Sequence, residues 1–135
     1  MKIAEVEYQG QLRTVGTHLR SGNQITTDAP PDNNGKGEAF SPTDLMSTSL
    51  ASCMMTIMGI VAERHGWNLQ GMKAGVTKIM GTEPRRVVEI HIEFTIPALG
   101  LDNNAKKLLE HAAHTCPVAK SLHPDLKQVV SFNWL

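Results

Sequence analysis

One stretch of the sequence decides the fold: residues 40–58 are FSPTDLMSTSLASCMMTIM. The segment Ser41–Asp44 combines a helix-capping residue, a proline suited to the first helical position and an acid three residues after the cap. This is the pattern of a capping box, with Asp in place of the usual Glu or Gln. From the cap to about His65 the chain contains no helix breaker except Gly59. The pattern predicts one long helix.

The predicted helix is apolar on nearly every side, because it carries no charged residue between Leu45 and Ala62. Such a helix must be buried on nearly every side, and a small domain can hardly wrap it completely. A second copy of the chain can cover the open side, so we expect a homodimer. A membrane helix explains the run less well, because hydroxyl side chains dilute it. These are Ser47, Thr48, Ser49, Ser52 and Thr56.

Short strands are predicted on both sides of the helix. Three precede it, at residues 2–8, 12–18 and 24–27, and a loop rich in Pro, Gly and Asn follows at 28–38. After Gly66 apolar and polar residues alternate, which is typical of antiparallel strands with one wet face. These strands span 72–80 and 86–96, and the second is expected to bury Val88, Ile90, Ile92, Phe94 and Ile96.

Two more helices and a strand complete the chain. Asp102 or Asn103 is expected to cap the first helix, which runs to about His114, and Cys116-Pro117 to open the second. The strand covers residues 129–134. The order β3-α-β2-α2-β predicts an α+β domain. The 135 residues are one domain's worth, so a single domain over residues 1–135 is expected.

Composition excludes several function classes. Thirteen Lys and Arg balance thirteen Asp and Glu, and no basic stripe is interleaved with aromatic residues, so binding to nucleic acid is not expected. The N-terminal segment has no apolar run long enough for a signal peptide or a membrane span, which favours a cytoplasmic protein. In that reducing compartment the two cysteines are not expected to form a permanent disulfide.

The two cysteines have different local settings. Cys53 lies among apolar residues in the middle of the long helix, where a cysteine is most simply a small buried hydrophobe with a raised pKa. Cys116 precedes Pro117 at a helix N-terminus, which favours the thiolate. From the residues alone, Cys116 is expected to be the more acidic thiol and Cys53 the more hidden one.

Metal binding is the next alternative for Cys116. His111 and His114 lie one helical turn apart just before it, but a closed zinc site would need a fourth ligand. The sequence contains no C-x-x-C, H-E-x-x-H or G-x-S-x-G motif and no Gly-rich phosphate loop. We therefore expect neither a metal nor a bound organic cofactor.

Two motifs resemble those of the OsmC/Ohr family. Residues 40–58 are similar to the family's central helix, in which a Pro-containing cap precedes a reactive cysteine. The segment HTCPVAKSL, residues 114–122, is similar to the second motif, a Cys-Pro that opens a helix. The motifs occur in the right order, and the predicted elements fit the family's subunit from end to end. The loop at 28–38 resembles the less characterised OsmC-like branches more than Ohr.

The resemblance implies an intertwined homodimer with the long helices buried between subunits. It also implies that Cys53 attacks an organic or hydrogen peroxide and becomes a sulfenic acid, which Cys116 converts to a disulfide. A dithiol reductant, of the lipoyl type or a small thiol, would then restore both thiols.

The resemblance further implies an arginine beside the reactive thiolate, with Arg20 favoured and Arg13 as the fallback. The family's peroxidases place a glutamate ten residues before the first cysteine to orient this arginine, and here that position is Thr43. A hydroxyl cannot form the bidentate charged pair. The adjacent Asp44 is a candidate substitute, although helix capping explains it as well.

Candidate walls of an apolar substrate pocket at the dimer interface are Met46, Met54 and Met58, which are otherwise core residues. Two further hypotheses stay open. The chain keeps the fold but binds an apolar small molecule without turnover, which Thr43 favours and the cysteine pair opposes. Alternatively, it is a structural dimer whose buried cysteines are inert.

Overall fold

The computed structural model describes residues 1–97 and 100–135, and its elements follow the predicted order, which confirms the α+β fold. The strands and helices are β1 (Ala4–Gly10), β2 (Arg13–His18), β3 (Gln24–Asp28), α1 (Pro42–Arg64), β4 (Lys73–Gly81), β5 (Arg86–Ile96), α2 (Asn103–Ala113), α3 (Pro117–Ser121) and β6 (Lys127–Trp134). The chain forms two compact units, Met1–Met46 and Ser47–Leu135.

The first unit contains an antiparallel sheet in the order β1-β2-β3. Val6 of β1 lies opposite Gly16 of β2, which in turn lies opposite Ile25 of β3. Residues that pair across neighbouring strands share a face of the sheet. A Cβ on Gly16 would lie 3.4 Å from Ile25 Cγ1 and 3.9 Å from Val6 Cγ2. The glycine thus lets two apolar side chains approach each other on that face.

The loop after β3 folds tightly back on itself and includes a single 3₁₀ turn, Pro31–Asn33. A Cβ at Gly35 would lie only 1.7 Å from the carbonyl oxygen of Ala29, so no other residue fits there without moving the backbone. The Gly35 N–H donates to the carbonyl of Pro30 at 2.9 Å, which closes the turn. The loop predicted at 28–38 is therefore a packed structure.

The capping box at the start of α1 is confirmed. The Ser41 N–H donates to Asp44 Oδ2, and the Asp44 N–H donates to Ser41 Oγ, each at 3.0 Å. Asp44 thus takes the part that Glu or Gln usually plays. The reciprocal bonds satisfy two backbone donors at the start of the helix.

The second unit contains a mixed sheet in the order β4-β5-β6. The antiparallel pairing expected from the alternating sequence is confirmed for β4 and β5. The last strand, β6, instead lies parallel to β5. The reason is the connection, because α2 and α3 carry the chain back along the sheet before β6 begins.

The buried face of β5 follows the predicted alternation from Ile90 onward. Ile90, Ile92 and Ile96 are 0% exposed and Phe94 is 1% exposed. Val88 was expected on the same face, but Val87 is buried in its place and Val88 is half-buried. The pairing shifts between Ile79 and Met80, so Val88 is skipped and the side chains before it change face.

The helix α1 buries one stripe within the single chain. Its buried residues recur at helical spacing and are Ser47, Leu50, Ala51, Met54, Met58 and Ala62. On another side Ile60 is 42% exposed. By length and composition α1 could cross a membrane, a test that the core helix of a soluble protein also passes. Outside this stripe the residues of α1 are half-buried or exposed.

Candidate functional site

The two cysteines meet within the second unit. Cys53 lies in the middle of α1, Cys116 lies directly before α3, and both are free thiols. The Cys53 side chain is among the groups that raise the pKa of the Cys116 thiol, so the two side chains lie close to each other. Two residues that lie about sixty positions apart in the sequence are therefore neighbours in the fold.

Cys53 occupies the edge of the buried stripe of α1. Its neighbours Leu50 and Met54, three residues before and one after, are 0% exposed, whereas Cys53 is half-buried. The helical period therefore turns its sulfur partly toward the core and leaves part of the side chain accessible. A half-exposed thiol can meet both a small molecule and a buried partner.

Cys116 is fully buried and caps α3 with its sulfur. Its Sγ accepts a hydrogen bond from the Ala119 N–H at 3.3 Å, and its side chain is 0% exposed. Burial raises the pKa of the Cys116 thiol, and the neighbouring Cys53 side chain raises it further. The N–H groups of Ala119 and Val118 act in the opposite direction but are outweighed.

The expectation that the setting of Cys116 favours its thiolate is therefore wrong, and so is the expectation that Cys53 is the more hidden thiol. The helix N-terminus at Cys116 exists as predicted, but the burial of the Cys116 side chain outweighs it and raises the pKa of the thiol. Cys116 is also the more hidden of the two, because the chain between α2 and α3 folds into the core at that point.

Arg13 forms a strong ion pair within the first unit. Its Nε and Nη2 each lie 2.7 Å from an oxygen of Asp28, and Nη2 also donates to Glu38 Oε1 at 3.1 Å. Asp28 is 1% exposed, and its Oδ2 also accepts a bond from the Glu38 N–H at 3.1 Å. The hydrogen bond from Arg13 lowers the pKa of Asp28, and Asp28 raises the pKa of Arg13.

Asp28 is not among the site residues that the sequence predicts. No local signal marks it, because its partner Arg13 lies fifteen residues earlier on the neighbouring strand. Arg20 lies exposed in the turn after β2. The placement of Arg20, or else of Arg13, beside Cys53 stays a prediction.

The remaining predicted site residues have clear places. Asp44 caps α1, which confirms the helix-capping explanation of this residue. Its second predicted role, the orientation of an arginine beside Cys53, stays a prediction. Met54 and Met58 are 0% exposed core residues, whereas Met46 is half-buried. A pocket wall formed by these methionines stays a prediction.

The alternative metal site does not form. Within residues 1–97 and 100–135, no three side chains of His, Cys, Asp or Glu come close enough together to hold a metal ion. His114 instead packs edge-on against Phe132, with ring centroids 6.2 Å apart. His111 and Cys116 therefore do not share a ligand cluster with it.

A family model described as OsmC-like protein matches residues 35–130. No functionally curated protein is significantly similar to the chain in sequence. The chain is 54% identical in sequence to a protein of known crystal structure from Psychrobacter arcticus 273-4. That protein is provisionally assigned to osmotic stress induction and the detoxification response. That match covers 98% of this chain and 96% of the other, with a TM-score of 0.95.

Two more distant structures share the fold. An organic hydroperoxide resistance protein OsmC from Legionella pneumophila is 18% identical, with 98% of each chain covered and a TM-score of 0.72. A Vibrio cholerae protein provisionally assigned to organic hydroperoxide resistance, with captopril in one of its active sites, is 18% identical. The match covers 98% of this chain and 92% of the Vibrio cholerae chain, with a TM-score of 0.74. By the family model and the identity to the Psychrobacter protein, the chain belongs to the OsmC-like family.

Proposed function

We propose that the protein is a thiol-dependent peroxidase that reduces organic hydroperoxides, and also hydrogen peroxide, through Cys53 and Cys116. The observation that carries the proposal is the proximity of the two thiols, with Cys53 half-buried and Cys116 fully buried. Relatives named for organic hydroperoxide resistance support the same activity.

The burial of the two sulfurs assigns their roles. The accessible Cys53 thiolate attacks the terminal peroxide oxygen, the O–O bond breaks, and an alcohol leaves with a proton. Cys53 becomes a sulfenic acid. Cys116 then attacks the Cys53 sulfur, the S–S bond forms, and the sulfenic oxygen leaves as water with the Cys116 proton.

Burial of Cys116 suits the second step. A sulfur without exposed surface is protected from direct oxidation, and a raised pKa keeps it as a thiol until Cys53 has reacted. A dithiol of the lipoyl type, or a small thiol, then reduces the disulfide by thiol exchange. We propose a cytoplasmic location, where such reductants are abundant.

The proposal also includes a homodimer. In the first unit Val6 is 71% exposed and Ile25 is 55% exposed on the same face of the sheet, and Tyr8 is 64% exposed. In the second unit Ile60 is 42% exposed on α1. Apolar side chains exposed on this scale mark an interaction surface. A second copy of the chain is the occupant typical of this family.

The decisive test is a titration of free thiols with one equivalent of cumene hydroperoxide. The wild-type protein is expected to lose both thiols. Cys116→Ser is expected to accumulate a Cys53 sulfenic acid that dimedone traps, and Cys53→Ser to keep its remaining thiol. Retention of both thiols in the wild-type protein would exclude the peroxidase.

A second candidate function is the binding of an apolar molecule without turnover. It is favoured by Thr43, which replaces the glutamate of the family's peroxidases, and by a groove of about 380 Å³ between α1 and β4. The groove is lined by Thr48, Ala51, Ser52, Met55, Thr56, Ala74 and Val76. This function predicts that both thiols survive the hydroperoxide.

A further inference from the structure

Little apolar burial holds α3 in its place. The helix has five residues, Pro117–Ser121, and none of them is buried. Burial of apolar side chains, which normally fixes a helix on its neighbours, contributes little here. Internal bonds, such as that from the Lys120 N–H to the Cys116 carbonyl at 3.2 Å, define the shape of α3 but not its position.

A side chain on β6 links α3 to the sheet. The Nε2 of Gln128 donates a hydrogen bond to the carbonyl oxygen of Ala119 at 3.0 Å, in a part-buried setting. Gln128 pairs with Ile90 of the central strand β5, and Ile90 is 0% exposed. The donor is therefore carried by a well-packed part of the sheet.

Ala119 connects this bond to the sulfur pair. Its carbonyl accepts from Gln128, and its N–H donates to Cys116 Sγ at 3.3 Å. Cys116 in turn lies near Cys53, which raises the pKa of its thiol. A continuous series of hydrogen bonds therefore runs from β6 through one residue of α3 to the Cys116 sulfur.

We propose that Gln128 is a positioning residue, which holds α3 on the sheet and thereby keeps the Cys116 sulfur aligned with Cys53. The inference deepens the proposed function, in which Cys116 resolves the oxidised Cys53. In the described contacts Gln128 bonds to Ala119 rather than to either sulfur. Its loss is therefore expected to slow disulfide formation and to leave the first reaction of Cys53 unchanged.

The test uses dithionitrobenzoate, an aromatic disulfide, at one equivalent per chain. In a first phase the Cys53 thiolate displaces one coloured thiolate and forms a mixed disulfide. In a second phase Cys116 loses its proton to solvent and attacks the Cys53 sulfur, and the second coloured thiolate leaves. Stopped-flow absorbance separates the two phases. Because no peroxide is used, a chain without peroxidase activity still tests the inference.

Two variants remove the donor with little change of shape. Gln128→Met keeps the length of the side chain, and Gln128→Glu places an ionised carboxylate that cannot donate. In each, the second phase is expected to slow about 3- to 10-fold, the range that a net hydrogen bond supports, while the first phase keeps its rate. The matched control is Ser131→Ala, an exposed position on the same strand, which is expected to leave both phases unchanged.

Three results would overturn the proposal: an unchanged second phase in Gln128→Met, equal slowing in Ser131→Ala, or no second phase in the wild-type protein. Thermal unfolding shows whether each variant is folded. Should Gln128→Met fail to fold, Gln128→Asn replaces it, because the amide is kept but no longer reaches Ala119, and the same slowing is expected.

Discussion

At the scale of single residues, the two cysteines have the same chemical group but differ in how far their side chains are exposed to water. Cys53 is half-buried on a helix, whereas Cys116 is 0% exposed and has a raised pKa because burial disfavours its charged form. Two backbone N–H groups at the start of α3 are too few to reverse that effect. The difference makes Cys53 the nucleophile and Cys116 the protected partner in the proposed reaction.

A raised thiol pKa makes folding depend on pH in a definite direction. Below the ordinary cysteine value of about 8.5 the thiol is protonated in both the folded and unfolded chain. Above it, the unfolded chain loses the proton first, so stability falls as the pH rises through the folded-state pKa of Cys116. Urea unfolding at about pH 7 and pH 10 is expected to show a larger loss for the wild-type protein than for Cys116→Ser. Equal losses would contradict the raised pKa.

The buried Asp28 predicts the opposite dependence on pH. Its pKa is lowered by the hydrogen bond from Arg13, so the pair stabilises the fold above the unfolded-state value of about 4. That stability is lost as the pH falls through the folded-state pKa. Asp28→Asn is expected to lower the Tm at neutral pH, with the difference from wild type shrinking below about pH 4. A difference that stays constant with pH would exclude the charge as its cause.

At the scale of elements, short polar signals set where helices begin, and long-range pairing sets where strands lie. The reciprocal bonds between Ser41 and Asp44 start α1 within four residues of sequence. The parallel orientation of β6 beside β5 depends instead on the whole connection through α2 and α3.

The capping box allows the two explanations of Asp44 to be separated. Ser41→Ala and Asp44→Ala each remove one reciprocal bond, and each is expected to lower the free energy of unfolding by about 1 kcal/mol. Ser52→Ala, exposed on the same helix, should change it by less than about 0.5 kcal/mol. If Asp44 only caps α1, both box variants will oxidise Cys53 with hydroperoxide at the same rate. A slower reaction in Asp44→Ala alone would show the arginine-orienting role.

At the scale of the whole molecule, the chain leaves much apolar surface in water. Val6 and Ile25 share a face of the first sheet, and the exposed Ile60 lies on the second unit's part of α1. These side chains are exposed in the single chain. This supports the proposed homodimer.

A charge on the apolar face tests the dimer. Ile25→Glu is expected to weaken dimerisation at least tenfold, because an unpaired carboxylate would be buried at the interface. The control Gln24→Glu places the same charge on the adjacent, opposite-facing residue of β3 and is expected to leave the dimer intact. Sedimentation velocity measures both. A wild-type monomer at micromolar concentration would contradict the proposal.

The sequence by itself determined the features that local rules control. Capping residues, helical runs and period-two alternation act over a few neighbouring positions, so the order of elements and the cap at Ser41 were predictable. Two motifs in the expected order also made the family recognisable. The family resemblance in turn predicted that Cys53 and Cys116 lie near each other.

Only the tertiary structure decided how buried each group is and which distant groups meet. Desolvation reverses the expected acidity of Cys116, a bulge skips Val88, and Asp28 pairs with an arginine from another strand. Gln128 reaches Ala119 across a loop. These features depend on the summed packing of segments far apart in the chain, and no short sequence pattern encodes that sum.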